Sequence, residues 1–121
     1  MPREALGEFE HQVLLAILHL DGEAHSAPIV TEIETRTGRA VSPAAVYIAL
    51  RRLEQRGFVQ SRKSEPAPHE GGRGRRSFRV TGAAIARLKA SRRALEAFWH
   101  GLDPVFDDGP RRRGGRTGKR R

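Results

Sequence analysis

Residues 41–57, V-S-P-A-A-V-Y-I-A-L-R-R-L-E-Q-R-G, constrain this chain more than any other stretch. Ser42 can accept a hydrogen bond from a first-turn backbone N–H, and Pro43 suits the first helical position, where its missing N–H has no helical partner to lose. Val46, Leu50 and Leu53, with Ala45 and Ala49 beside them, recur at helical spacing and make one apolar face. Gly57 stands where a left-handed C-cap ends a helix, and Arg51, Arg52 and Arg56 load the C-terminal half, where the helix dipole favours cations. The opposite face carries Ala44, Tyr47, Ile48 and Arg51: small at its start, aromatic in the middle, cationic beyond. A helix of this kind can enter a DNA major groove while its cations reach phosphates. Val46 and Tyr47 are adjacent and cannot share a face, so Val46 is expected inside and Tyr47 outside. The alternative is partial burial of Tyr47 between helices.

Charge supports a polyanionic partner. The formal balance is +9, unevenly spread. Residues 1–50 carry 3 basic and 7 acidic side chains, residues 51–93 carry 13 and 3, and residues 94–108 carry 0 and 4. Residues 109–121 add 7 basic groups and no acid. Positive charge therefore gathers just after the capped helix and again in the tail, as expected for contact with nucleic acid. The tail has no aromatic residue for base stacking. It reads either as non-specific DNA affinity or as a solubilising end.

Around the central helix the pattern is legible in outline. Residues 6–20 form a first helix in which Leu6, Phe9, Val13, Leu14, Ile17, Leu18 and Leu20 span a sector wide enough for two neighbours. Asp21-Gly22 is a turn signal. A second helix is expected over residues 27–37, capped by Ser26, with Ile29, Val30 and Ile33 inward and Gly38 as its stop. Two short helices joined by a Gly-containing turn make a helix-turn-helix pattern. Residues 58–63 and 77–80 read as strands, the latter with Phe78 and Val80 on one face. The loop between them is rich in Pro and Gly, and its arginines (Arg73, Arg75, Arg76) make a basic tip. A hairpin with such a tip, placed directly after the basic helix, is a wing, although G-G-R-G-R-R also suits a solvated loop.

Residues 82–102 form a long helix with Thr81 as its cap. Ile85, Leu88, Leu95, Trp99 and Leu102 fall on alternating steps of three and four, with Arg92 at the one charged position. Phe98 adds aromatic surface, which favours a dimer seam over an ordinary amphipathic helix lying on its own domain. The expected architecture is mainly α with a small β-hairpin: a winged helix-turn-helix plus a long C-terminal dimerisation helix. The divisions are residues 1–80 for DNA binding, 81–108 for dimerisation and 109–121 as a disordered basic tail.

Other classes of function find little support. The chain has no cysteine, which removes disulfides and thiolate metal sites. The five histidines (His11, His19, His25, His69, His100) lack metal-ligand spacing, so neither a metal nor another cofactor is expected. Gly71-Gly72-Arg73-Gly74 leads into a strand, not a helix, and so is no phosphate cradle of the Walker type. No apolar run approaches a membrane span and acids interrupt the start, so a cytoplasmic, nucleoid-associated protein without membrane contact is expected. An enzyme is not expected.

The runs L-G-E-F-E-H-Q-V-L-L-A-I-L, E-I-E-T-R-T-G-R-A-V-S-P-A-A-V-Y-I-A-L-R-R-L-E-Q-R-G-F-V and E-P-A-P-H-E-G-G-R-G-R-R-S-F-R-V-T together resemble the PadR-like transcriptional regulators, over residues 6–102. The most specific parts are S-x-x-x-V-Y-x-x-L-x-R-L-E-x-x-G and the basic G-G-R-x-x-R leading into a Thr. The resemblance implies a homodimeric bacterial repressor on a palindromic operator. Ser42 would cap the reading helix and touch phosphate, with Pro43 and Ala44 allowing close approach. Tyr47 would set its hydroxyl on the DNA backbone, Arg51 would take the family's cationic position, and Arg73, Arg75 and Arg76 would be the wing contacts. The long helix would dimerise against the first, through Phe9, Val13, Ile85, Leu88, Leu95, Phe98, Trp99 and Leu102. Phe78 stands where a Tyr is common, Thr81-Gly82-Ala83-Ala84 replaces T-P-A-G, and Ser26-Ala27-Pro28 replaces a Gly-containing start. A small aromatic effector, if there is one, would sit at the dimer interface near Phe9, Val13, Leu95, Phe98 and Trp99. The competing reading is an RNA-associated or protein-interaction winged-helix module.

Overall fold

The computed structural model describes residues 6–63 and 75–102. In chain order these form α1 (Glu8–His19), β1 (Glu23–His25), α2 (Ser26–Thr37), α3 (Pro43–Gln55), β2 (Val59–Lys63), β3 (Arg76–Val80) and α4 (Gly82–Trp99). The expected wing tip with Arg73 and the expected basic tail lie outside the described residues. The chain divides into two compact units, Met1–Leu88 and Lys89–Arg121, so the first turns of α4 belong to the first unit.

The core of the first unit comes from one face of each element. Val13, Leu14, Ala16 and Ile17 of α1 meet Ile29 and Ile33 of α2 and Val46, Ala49, Leu50 and Leu53 of α3, with Phe58, Val59 and Phe78 closing one side and Ala84 and Leu88 joining them. Each fully buried Leu, Ile or Phe stabilises by about 1.5–3 kcal/mol relative to exposure. Ala45 departs from the expected apolar face: it is exposed, because it lies at the helix start, away from the line through Val46, Ala49, Leu50 and Leu53. Val13 and Leu88, expected at a dimer seam, are 0% and 7% exposed and lie in the protomer's own core. Phe9 and Ile85 are half-buried. The wide apolar sector of α1 is therefore largely consumed within the chain.

The turns follow their local chemistry. Ser42 Oγ accepts from the Ala45 N–H at 3.2 Å and caps α3. Arg56 is the C-cap of that helix, and Gly57 follows at φ +81°, where a side chain would be strained. Thr81 Oγ1 accepts from the Ala84 N–H at 3.3 Å and starts α4 as expected. The second helix differs by one residue: Ser26 is its first helical residue and His25 its cap, because the chain enters α2 straight from a strand.

That strand is the main correction. The sheet has three strands in the order β1-β3-β2, all antiparallel, rather than the two of a simple hairpin. Ala24 pairs with Phe78, and Phe78 with Ser61 on its other side. β3 is thus the central strand. Its alternate residues Phe78 and Val80 face the helices, as the pleat requires.

Candidate nucleic-acid interface

Burial of Val46, Leu50 and Leu53 turns the opposite side of α3 outward. Ser42, Pro43, Ala44, Tyr47, Ile48, Arg51 and Arg52 are all exposed. Tyr47 is 41% and Ile48 53% exposed, so Tyr47 lies on the outward face with part of its surface covered. The ring is supported from below by Phe78, in an edge-to-face contact with centroids 6.3 Å apart. Its hydroxyl accepts a hydrogen bond from Arg51 Nη1 at 3.2 Å, and the Arg51 guanidinium carbon lies 5.9 Å from the ring centre. Tyr47 and Arg51 therefore form one tethered pair, standing on a buried strand residue.

The helix is joined to the base of the wing by a polar chain that sequence reading does not find. Arg51 Nε lies 3.5 Å from Glu54 Oε1. Glu54 Oε2 accepts from Ser61 Oγ at 2.6 Å, and that same Ser61 oxygen accepts from Arg76 Nη1 at 2.9 Å. The Tyr47 hydroxyl, followed by the Glu54 carboxylate, holds the Arg51 guanidinium above its ordinary pKa. Arg51 and Arg76, expected separately as helix and wing contacts, are thereby brought to one cluster around Glu54 and Ser61. Arg75 precedes β3 and is exposed, while Arg73 lies outside the described residues. The spacing of Arg51 and Glu54, three apart on a helix, is the available signal. Ser61 and Arg76 give none, because their approach depends on strand register.

The outer face of the sheet is polar. Glu23 Oε2 accepts from Ser77 Oγ at 2.6 Å and from Arg62 Nε at 3.1 Å. The Ser77 hydroxyl, helped by the Arg62 and Arg79 charges and opposed by partial desolvation, holds the Glu23 carboxyl below the usual range. His25 Nδ1 lies 3.0 Å from the Arg76 carbonyl oxygen, and Arg79 donates to Gln60. These bonds tie β1, β2 and β3 together across their polar side chains. Among the described residues no group of three His, Cys, Asp or Glu could hold a metal ion, and no helix is long and apolar enough to cross a membrane.

On α4 the expected seam residues Leu95, Phe98 and Trp99 are 56%, 79% and 47% exposed. The helix ends at Trp99 rather than running to residue 102, Gly101 follows at φ +83°, and Leu102, beyond the helix end, is 41% exposed. Four large apolar side chains in eight residues are a concentrated exposed patch.

Comparison with known proteins gives a consistent result. The sequence profile of the "Transcriptional regulator PadR-like family" matches residues 14–90. Over 86 residues the chain is 42% identical to the transcriptional regulator Rv3488 of Mycobacterium tuberculosis (strain ATCC 25618 / H37Rv), covering 69% of this chain and 76% of that protein. Among solved structures it is similar to a PadR-like transcriptional regulator from Bacillus cereus strain ATCC 14579, with TM-score 0.64 and 14% identity over 82% of this chain and 91% of that one. It is also similar to a winged-helix DNA-binding protein from STIV, with TM-score 0.55 and 14% identity over 71% of this chain and 85% of that one. At such identities the solved structures speak to the fold, which is that of the winged helix.

Proposed function

This chain belongs to the PadR-like family of transcriptional regulators, and from that premise we propose that two copies of it bind a palindromic operator as a homodimeric repressor. It is a DNA-binding regulator of the winged-helix type and not an enzyme. The observation that carries the reading is the outward face of α3, where Ser42, Tyr47 and Arg51 stand exposed beside the Arg76 base of the wing. In this reading α3 enters the major groove. Ser42 and Tyr47 meet phosphate, Arg51 and the wing arginines neutralise it, and Pro43 and Ala44 allow the backbone close. Few of these groups carry base-specific donors, so phosphate contacts, half-site spacing and groove shape are expected to supply much of the recognition. A bacterial repressor works beside the chromosome, which sets its proposed place in the cytoplasm.

The dimer is proposed to form through the exposed apolar residues Leu95, Phe98, Trp99 and Leu102, and the half-buried Phe9 and Ile85 are proposed to contribute as well; Val13 and Leu88 are left out. Sedimentation of the full chain at micromolar concentration should give twice the protomer mass. Leu95→Glu with Phe98→Glu changes two exposed positions and leaves the core alone, so the variant should fold, sediment as a monomer and lose about 100-fold or more in affinity for a selected duplex. A dimeric double variant would remove this surface from the interface. A wild-type protein that is monomeric, and prefers structured RNA to duplex DNA, would overturn the function.

A further inference from the structure

The recognition face of α3 has a side chain that phosphate contact does not explain. Ile48 is 53% exposed, more than any other large apolar side chain on that helix. It lies one turn beyond Ala44 and beside the Tyr47–Arg51 pair. Those two neighbours are hydrogen-bonded to each other, and the Tyr47 ring rests against Phe78. An isoleucine is a weaker helix former than the alanine or lysine an ordinary solvent face would carry. At this place it gains little from its own fold.

The chemistry of the side chain restricts what it can read. Every base pair shows donors and acceptors along the major groove, and the thymine C5 methyl is the one apolar feature among them. An isoleucine pressed against cytosine N4 or guanine O6 would strip water from a polar group and return nothing. Pressed against a thymine methyl, it removes two apolar surfaces from water at once. The short Ala44 side chain, one turn earlier on the same face, leaves room for the groove edge to approach.

We infer that Ile48 is a specificity-determining residue that reads a thymine methyl in each operator half-site. The inference rests on α3 being the helix that enters the major groove. It adds a base preference to a face otherwise suited to phosphate.

The test begins with duplexes enriched by the full-length wild-type protein from a random pool. Each thymine of the enriched half-site is replaced in turn by deoxyuridine, which removes the methyl and keeps the pairing, and affinity is read by fluorescence anisotropy. The expected result is a loss of about fourfold at one thymine position per half-site, the worth of a single methyl in an apolar contact. Ile48→Ala should bind the thymine duplex more weakly and lose its response to uracil at that position, because the pair is then already broken. Ile48→Val should keep the response. Because the side chain is exposed, unchanged melting of both variants is expected. Indifference of the wild-type protein to uracil at every thymine would overturn the inference, as would an Ile48→Ala variant showing the same fourfold loss. If the wild-type protein enriches no duplex at all, the DNA-reading role of α3 falls, and this inference with it.

Discussion

At Glu23 a single carboxylate oxygen accepts bonds from a hydroxyl and a guanidinium that arrive from β3 and β2, 54 and 39 residues further along. No local pattern in the sequence announces this. Glu-Ala-His after an Asp-Gly turn reads as the tail of a turn, and its partners become visible only once the strands are in register. The consequence is a pH dependence whose sign is fixed. Because the folded carboxyl is held below its ordinary value, its stabilising charge is fully present above the unfolded glutamate range and is lost as pH falls through the lower, folded value. Glu23→Gln should therefore unfold at lower urea than wild type at neutral pH, and the gap should close as the solution is acidified. A gap that stays constant from neutral to strongly acidic pH would mean that the charge contributes nothing. Arg51 makes the complementary point, since its cation is legible in the sequence and its tether to Tyr47 is not: four residues along a helix allows the contact without compelling it.

Among the elements, α3 is the most legible because every local signal agrees. Cap, proline, apolar spacing and terminal glycine all name the same boundaries, and the helix runs Pro43–Gln55. The short strand Glu23–His25 is the least legible. Three residues are too few to show alternation, and its place in the sheet is set by a partner more than fifty residues away. On α1 and α4 the spacing of apolar residues marks an apolar side of each helix, yet Val13 and Leu88, expected at a second subunit, are buried in their own domain, while Leu95, Phe98 and Trp99 stay exposed. Periodicity shows that a face is apolar, not what lies against it. The glycine after α3 gives an element-scale prediction. Gly57 holds φ +81° with open space around the position of a Cβ, so Gly57→Ala meets no clash and suffers conformational strain alone. It should destabilise the chain by about 1–2 kcal/mol in urea unfolding. A neutral or stabilising alanine would show that the helix end readjusts without difficulty.

For the whole molecule, the balance of +9 and its concentration after residue 50 make ionic strength the natural probe. If each protomer neutralises ~3–4 phosphates, the slope of log affinity against log salt should be about −5 to −7 for a dimer. Changing Arg73, Arg75 and Arg76 together to alanine should weaken binding and flatten that slope by about one unit for each phosphate no longer neutralised. An unchanged slope would place the wing outside the interface. The central claim is that two copies of α3, each backed by its wing, lie on one duplex at a fixed separation. Hydroxyl-radical footprinting of the full chain on a selected duplex tests it most directly. The account predicts twofold-symmetric protection with half-site centres ~10 base pairs apart, or a whole multiple of that spacing; a single asymmetric patch, equally present on random DNA, would contradict it.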